Sequence, residues 1–231
     1  MLYEGKSKKV WSVEEGGYVK LYFKDDATAF NGVKKEIFKN KGYLNCEISA
    51  FFMTYLKNKG IPVHFIMNME EENCQLCHGV DIFPVEVVVR NIAAGSLTKR
   101  LGIESGTVLD KPLVEYFYKS DELNDPLISE GHIEYFNWAS EVELMFMKRT
   151  SLHVNHIIKE FWKERGLALV DLKLEYGKTK GGDILLADEI TPDSWRLWDL
   201  NSGKSMDKDV FRKDTGNLID VYSELFAKII E

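Results

Sequence analysis

Two short alternating runs open the chain. In "KKVWSVEEGGYVKLYFK" the alternation of side-chain character on either side of Glu14-Glu15-Gly16-Gly17 is the pattern of two strands joined by a hairpin turn. The period then lengthens. In "LNCEISAFFMTYLKNKG", Leu44, Ile48, Phe51, Phe52, Tyr55 and Leu56 recur at helical spacing and Gly60 closes the run. "IPVHFI" and "IFPVEVVVRN" read as strands. Ser140 and Glu143 stand at capping-box spacing ahead of a long helix that Gly166 ends. Two strands follow, "LALVDLKLEYG" and "DILLADEI", joined by "KTKGG", and "NLIDVYSELFAKIIE" reads as a closing amphipathic helix. Strands, helix and strands again, without a regular βαβ rhythm, predict an α+β fold rather than a doubly wound sheet.

Composition narrows the class. The 231 residues are 45% hydrophobic and 12% aromatic, enough for one large domain or two small ones sharing a core. A formal charge of −7 argues against a nucleic-acid partner while leaving room for a local basic pocket. No run approaches the ~18 apolar residues of a membrane span. The start, "MLYEGKSKKVW", lacks the apolar core of a signal peptide, so the expectation is a cytoplasmic protein with no membrane partner. In that compartment the three cysteines are expected as free thiols. "CQLCH" (residues 74–78) matches a haem-attachment pattern and half of many metal sites. In an extended segment, however, Cys74 and Cys77 point to opposite faces, and no further pair of ligands completes a tetrahedral zinc site. Both are therefore read as packing residues and His78 as a surface residue.

Four stretches carry candidate chemistry. In "YEGKSKKVW", Lys6, Lys8 and Lys9 cluster beside Gly5, where a turn can lay N–H and ammonium groups over phosphates, although P-loop spacing is absent. In "IFPVEVVVRNIAAGS", period two puts Glu86, Val88 and Arg90 on one face and Val85, Val87 and Val89 on the other. Arg90 with Ser96, at the start of a short helix after Gly95, can form an anion site; a structural salt bridge from Glu86 is the plainer alternative. In "LVDLKLEYG", Asp171, Lys173 and Glu175 share a face, and the next strand supplies Asp188 and Glu189. A turn over residues 176–183 would set Asp171 opposite Asp188. Clustered carboxylates call for a cation, and oxygen ligands suit Mg²⁺ bridging phosphates; an exposed charged edge is the alternative. Finally, "TPDSWRLWD" and "MDKDVFR" offer Asp193, Arg196, Asp207 and Lys208, with Asp207 also readable as a helix N-cap.

These stretches, together with "LTKRLGIESGTVL" and "YKSDELNDP", occur in the order of the motifs of the phosphoribosylaminoimidazole-succinocarboxamide synthase (SAICAR synthetase) family, which the chain resembles over nearly its whole length. The resemblance implies an ATP-dependent ligase of purine biosynthesis. In that family ATP phosphorylates the carboxylate of the imidazole ribonucleotide CAIR, and the amine of L-aspartate displaces the phosphate. It also implies an α+β fold related to the ATP-grasp group, with antiparallel sheets, flanking helices and ATP in the cleft between subdomains. Residues 1–82 would form the nucleotide-binding subdomain and residues 83–231 the substrate- and metal-binding one. By motif, Lys6, Ser7, Lys8, Ile82 and Lys119 would contact ATP, and Glu175 and Asp188 would hold Mg²⁺. Glu86, Asp171, Lys173 and Arg196 would serve the reacting centre. Arg90, Ser96, Asp193, Arg196 and Lys208 would bind substrate, with Asp193 at the ribose, and Asp209 would border the cleft. A homodimer is implied as well. Asn31 stands where some members carry an aspartate, so an acid role there does not transfer. Two other readings stay open at this point: a different amide-forming ligase or kinase on the same scaffold, and a haem or metal module built on Cys74, Cys77 and His78.

Overall fold

A computed structural model describes residues 1–13, 17–29 and 32–230. Most of the predicted turn at Glu14, Glu15 and Gly16, and Asn31, lie outside the described residues. The first sheet contains β1 (Tyr3–Glu4), β2 (Lys8–Ser12), β3 (Tyr18–Phe23), β6 (Phe65–Asn68) and β7 (Cys74–His78), in the order β1-β2-β3-β7-β6. The predicted hairpin is β2–β3, antiparallel with Val10 opposite Leu21. A separate ribbon pairs β4 (Asp26–Ala29) with β5 (Lys34–Ile37). Helix α1 (Lys41–Asn58) packs against β3, β6 and β7 through Leu44, Ile48, Phe52 and Leu56.

The second sheet positions the chemistry. It contains β8 (Asp81–Ile92), β9 (Val108–Tyr118), β10 (Leu127–Ile128), β11 (Leu167–Lys178), β12 (Ile184–Ala187) and β13 (Trp195–Asp199). Its order is β10-β9-β8-β11-β12, with β13 also on β11. On one face Val85, Val87, Val89, Leu172, Leu174 and Tyr176 are wholly buried, because α4 (Glu141–Lys163) packs against β8, β9 and β11. That helix starts where its capping box predicts: Ser140 Oγ accepts from the Glu143 N–H, and the Glu143 carboxylate accepts from the Ser140 N–H. Ser151 bonds the Tyr176 hydroxyl at 2.8 Å and Asn155 pairs with Asn91, so these buried polar side chains under α4 have partners. The opposite face is the charged one that alternation predicted. Short helices α2 (Ser96–Leu101), α3 (Glu130–Tyr135) and α5 (Asp209–Arg212) edge the fold, and α6 (Leu218–Ile230) packs on α1.

Three local expectations change. The predicted strand at 61–66 becomes regular only at Phe65. Pro62 has no N–H, and the backbone of residues 62–64 bonds Leu186 instead: Leu186 N–H to Pro62 O and His64 N–H to Leu186 O, both 2.8 Å. The strand predicted over 183–190 stops at Ala187, because Asp188 is left-handed at φ 62°. The turn expected over 176–183 is shorter, closing from Thr179 to Asp183, and the register sets Glu175 opposite Ala187. Asp171 therefore does not face Asp188; its cross-strand partners are Arg90 and Arg196.

Candidate active site

The register of β8 on β11 sets Glu86 directly opposite Glu175. Two carboxylates so placed repel. Lys173, two residues back on the same face, answers both, with its ammonium 2.9 Å from Glu86 and 2.5 Å from Glu175. Lys119, just past β9, takes the other Glu175 oxygen. The N-terminal sheet adds a third cation: Lys8 on β2 lies 2.5 Å from Asp188 and 2.7 Å from Glu189. Ser7 donates to Glu189 at 3.4 Å. Four carboxylates thus meet three ammonium groups where the two sheets approach.

Electrostatics decide the charge states. Burial alone would lower the affinity of Lys8 and Lys173 for protons, but the carboxylates beside them outweigh it, and both ammonium groups are held above the usual lysine range. Burial opposes ionisation of Asp188, yet Lys8, Lys173 and Lys119 pull its carboxyl well below the ordinary value. Glu86 moves the other way: burial and the charge of Glu175 raise it, against the pull of Lys173. Among the described residues, no three or more metal-ligating side chains converge on one point. The donor chemistry nonetheless fits Mg²⁺, which takes one or two carboxylates and completes its shell with water and phosphate oxygens. Glu175 and Asp188 are anionic, mutually repelling hard-oxygen donors of that kind.

Farther along the same face runs a chain of alternating charge. Arg100 pairs with Glu115, which lies 2.5 Å from Arg90; Arg90 lies 2.9 Å from Asp171, and Asp171 lies 2.8 Å from Arg196. Arg196 then approaches Asp209 at 3.4 Å, and Asp209 holds Arg212 at 2.6 Å and Lys213 at 2.8 Å. Arg90 and Ser96 do meet, at 3.2 Å, as their spacing suggested. The Arg90 guanidinium is buried and also occupied by two carboxylates. Arg196 is the more open of the two arginines, with 21% of its side chain exposed against 4% for Arg90. It lies on the backbone of Gly95, where a Cβ would come 2.9 Å from the guanidinium; Gly95 also has φ 60°. Only glycine gives both the conformation and the close approach.

The remaining candidates surround a cavity of about 250 Å³ lined by Lys6, Ser7, Lys173, Asp193, Lys208 and Arg212, among others. A second hollow of about 530 Å³ adjoins it and shares Lys6. Lys6 sits between them, 2.7 Å from Asp121. Lys9 pairs instead with Glu4. The Asp193 carboxylate accepts from Tyr222 and Lys41 at 2.6 Å and Asn45 at 3.2 Å, with Lys208 at 3.6 Å. Ile82 lies apart on β8 opposite Gly177, 42% exposed and lining neither cavity. The N-cap position of α5 falls on Lys208 rather than Asp207, whose carboxylate instead accepts from the Asp209 N–H at 2.6 Å and the Leu197 N–H at 2.9 Å.

Sequence reasoning missed Glu115, Lys41, Tyr222, Arg212 and the role of Glu189. Lys41 had a signal: it shares the helical face of Leu44, Asn45 and Ile48, a core position for a charged residue. Cys74 and Cys77 are both buried in β7, and burial pushes the thiols of Cys46, to about 12, and Cys77 upward, so none is poised for thiolate chemistry. His78 is exposed beside Tyr18.

A family model described as SAICAR synthetase matches residues 1–229. A phosphoribosylaminoimidazole-succinocarboxamide synthase of Exiguobacterium sibiricum is 49% identical over 228 residues, covering 99% of this chain and 97% of that protein. Among solved structures, a SAICAR synthetase in complex with ADP superposes with a TM-score of 0.94 at 46% identity, covering 98% of this chain and 96% of the other. The phosphoribosylaminoimidazole-succinocarboxamide synthase of Ehrlichia chaffeensis gives 0.95 at 44% identity, with 99% and 97% covered. With sequence and fold alike matched over nearly the whole chain, the chain belongs to the SAICAR synthetase family.

Proposed function

We propose that this protein is an ATP-dependent ligase of purine biosynthesis that joins L-aspartate to the carboxylate of CAIR through an acyl phosphate, giving SAICAR, ADP and phosphate. The observation that carries the reading is the meeting of the Lys6–Lys8 segment with the Glu86–Lys173–Glu175–Asp188 cluster in a chain matched by that family over residues 1–229. Residues 1–82 would supply the nucleotide side of the cleft and residues 83–231 the substrate and metal side, in a cytoplasmic homodimer. Among the described residues, no helix is long and apolar enough to cross a membrane.

A carboxylate is a poor electrophile, and phosphorylation supplies a leaving group. A CAIR carboxylate oxygen attacks the γ-phosphorus and ADP departs. The aspartate amine then attacks the acyl carbon, phosphate departs, and the nitrogen gives up a proton. Three anionic substrates must be held together, so positioning and charge neutralisation dominate. Lys6, Ser7, Lys8 and Lys119 hold the phosphates; Ile82, which lines neither cavity, is assigned toward the adenine by its motif alone. Glu175 and Asp188 would hold Mg²⁺, which when bound supplies charge neutralisation at the phosphoryl group. Lys173, kept protonated, donates to the CAIR carboxylate. Glu86, the carboxylate whose proton affinity is raised, receives the amine proton. Arg90 and Ser96 back the phosphate-binding end, Arg196 with Asp171 behind it grips the anion there, and Lys208, braced by Asp193, faces the second anionic substrate.

The test is ADP release with CAIR, ATP, Mg²⁺ and L-aspartate. Release that depends on both CAIR and aspartate is expected, and EDTA should abolish it. Release without either substrate, or equal turnover with other amines, would overturn the assignment in favour of a kinase or a different amide ligase.

A further inference from the structure

His64 is a buried imidazole for which the chemistry above has no use. It stands where the two sheets meet. Its N–H donates to Leu186 O on β12, at 2.8 Å, and its carbonyl accepts from the His78 N–H on β7, also at 2.8 Å. Its ring Nε2 lies 3.0 Å from the carbonyl oxygen of Asp188. A carbonyl only accepts, so Nε2 carries the proton and the ring is the donor. Burial keeps the imidazole neutral, lowering it to about 4.

The residue it reaches is unusual in its backbone. Asp188 has φ 62°, a conformation that non-glycine residues rarely adopt. In an extended strand Asp188 would project to the same face as Leu186, which is wholly buried. The left-handed turn takes it off that alternation and points its carboxylate at Lys8 and the cluster. A sparsely populated conformation persists only where its surroundings over-determine it. The contacts that do so are the Leu186 backbone bonds, the Lys8 ion pair and the His64 ring.

We propose that His64 is a positioning residue that fixes the left-handed backbone of Asp188, so that the N-terminal sheet sets the aim of a metal-binding carboxylate on the C-terminal sheet. This rests on the reading of Asp188 as a Mg²⁺ ligand. The ring touches no reacting atom; it acts through the peptide carbonyl.

The experiment compares His64→Leu, His64→Asn and His64→Gln with the unaltered protein. Glutamine places an amide donor near the position of Nε2, whereas the shorter asparagine does not reach Asp188 O. Two readouts are needed: ADP affinity by calorimetry with Mg²⁺ and with EDTA, and amide hydrogen exchange across residues 187–190 in metal-free protein. We expect His64→Leu and His64→Asn to lose at least about tenfold of the Mg²⁺-dependent gain in ADP affinity and to exchange faster across 187–190. ADP affinity in EDTA should stay within about twofold, and His64→Gln should restore both readouts. If His64→Leu does not fold, the contrast between asparagine and glutamine carries the same decision. Equal Mg²⁺ dependence in all variants, or equal loss in Asn and Gln, overturns the proposal and leaves the ligase reading standing. If the unaltered protein shows no Mg²⁺ dependence, the metal assignment itself falls, and this proposal with it.

Discussion

Lys41→Met removes the most deeply buried cation in the protein. The Lys41 side chain is wholly buried and lies 2.6 Å from Asp193, itself only 6% exposed. Breaking a buried pair from one side costs about 3–5 kcal/mol, because the remaining charge loses its partner without regaining water. Asp193 would keep the Tyr222 hydroxyl, the Asn45 amide and Lys208 at 3.6 Å, so the lower end, about 3 kcal/mol, is expected. For a chain of this length that corresponds to a fall in Tm of roughly 6–12 °C. The pH dependence gives a second reading. Burial pushes the Asp193 carboxyl up, but Lys208 and Lys41 outweigh it and hold the group well below the usual range. A depressed carboxyl contributes stability above its unfolded value of about 3.9 and loses it as pH falls. Lys41→Met should therefore also flatten the acid limb of the Tm profile below about pH 4. Thermal unfolding between pH 2.5 and 7.5 measures both effects. A Tm within about 2 °C of the unaltered protein, with an unchanged acid limb, would show that the pair contributes nothing and that the burial argument is wrong.

Glu175→Gln should lower kcat at least about 100-fold while circular dichroism stays native, since Lys173 retains Glu86 as a partner; near-normal turnover would remove Glu175 from the metal site. Asp207 has the opposite pH signature to Asp193. Burial and the neighbouring Asp209 raise its carboxyl to about 6, so the folded state holds a proton that the unfolded state has released, and stability falls as pH rises from about 4 to 6. Asp207→Asn should reduce that fall in Tm over the same window, and an identical slope in the variant would refute the assignment.

How far the fold and site were legible follows from the range of the interactions involved. Alternation in "VEVVVR" and "VDLKLEY" marked β8 and β11, and the split between a valine–leucine face and a charged face, because side-chain direction in a strand is a local property. The capping box at Ser140 and Glu143 located the start of α4 for the same reason. Register is not local. Whether Asp171 faces Asp188 depended on a turn whose length the residues did not announce; with the shorter turn from Thr179 it does not, and Asp171 lies between Arg90 on β8 and Arg196 on β13. Glu115 was invisible because β9 meets β8 after a long connection, and nothing in its own neighbourhood marks it as the partner of Arg90.

The misplaced strand end at Asp188 carries a further lesson about the site. Glu86, Lys173 and Glu175 stand on regular strands where alternation alone aims them. Asp188 and Lys8 reach the same point from elsewhere, one through a left-handed residue just past β12 and the other from a different sheet. One half of the charged cluster is thus set by the pleat of β8 and β11, and the other by how the two sheets are held together. Changes at that junction should alter the geometry of the carboxylates without touching them, whereas changes along β8 or β11 should act through the side chains themselves. His64 and Pro62, with no charge to offer, belong to the first kind.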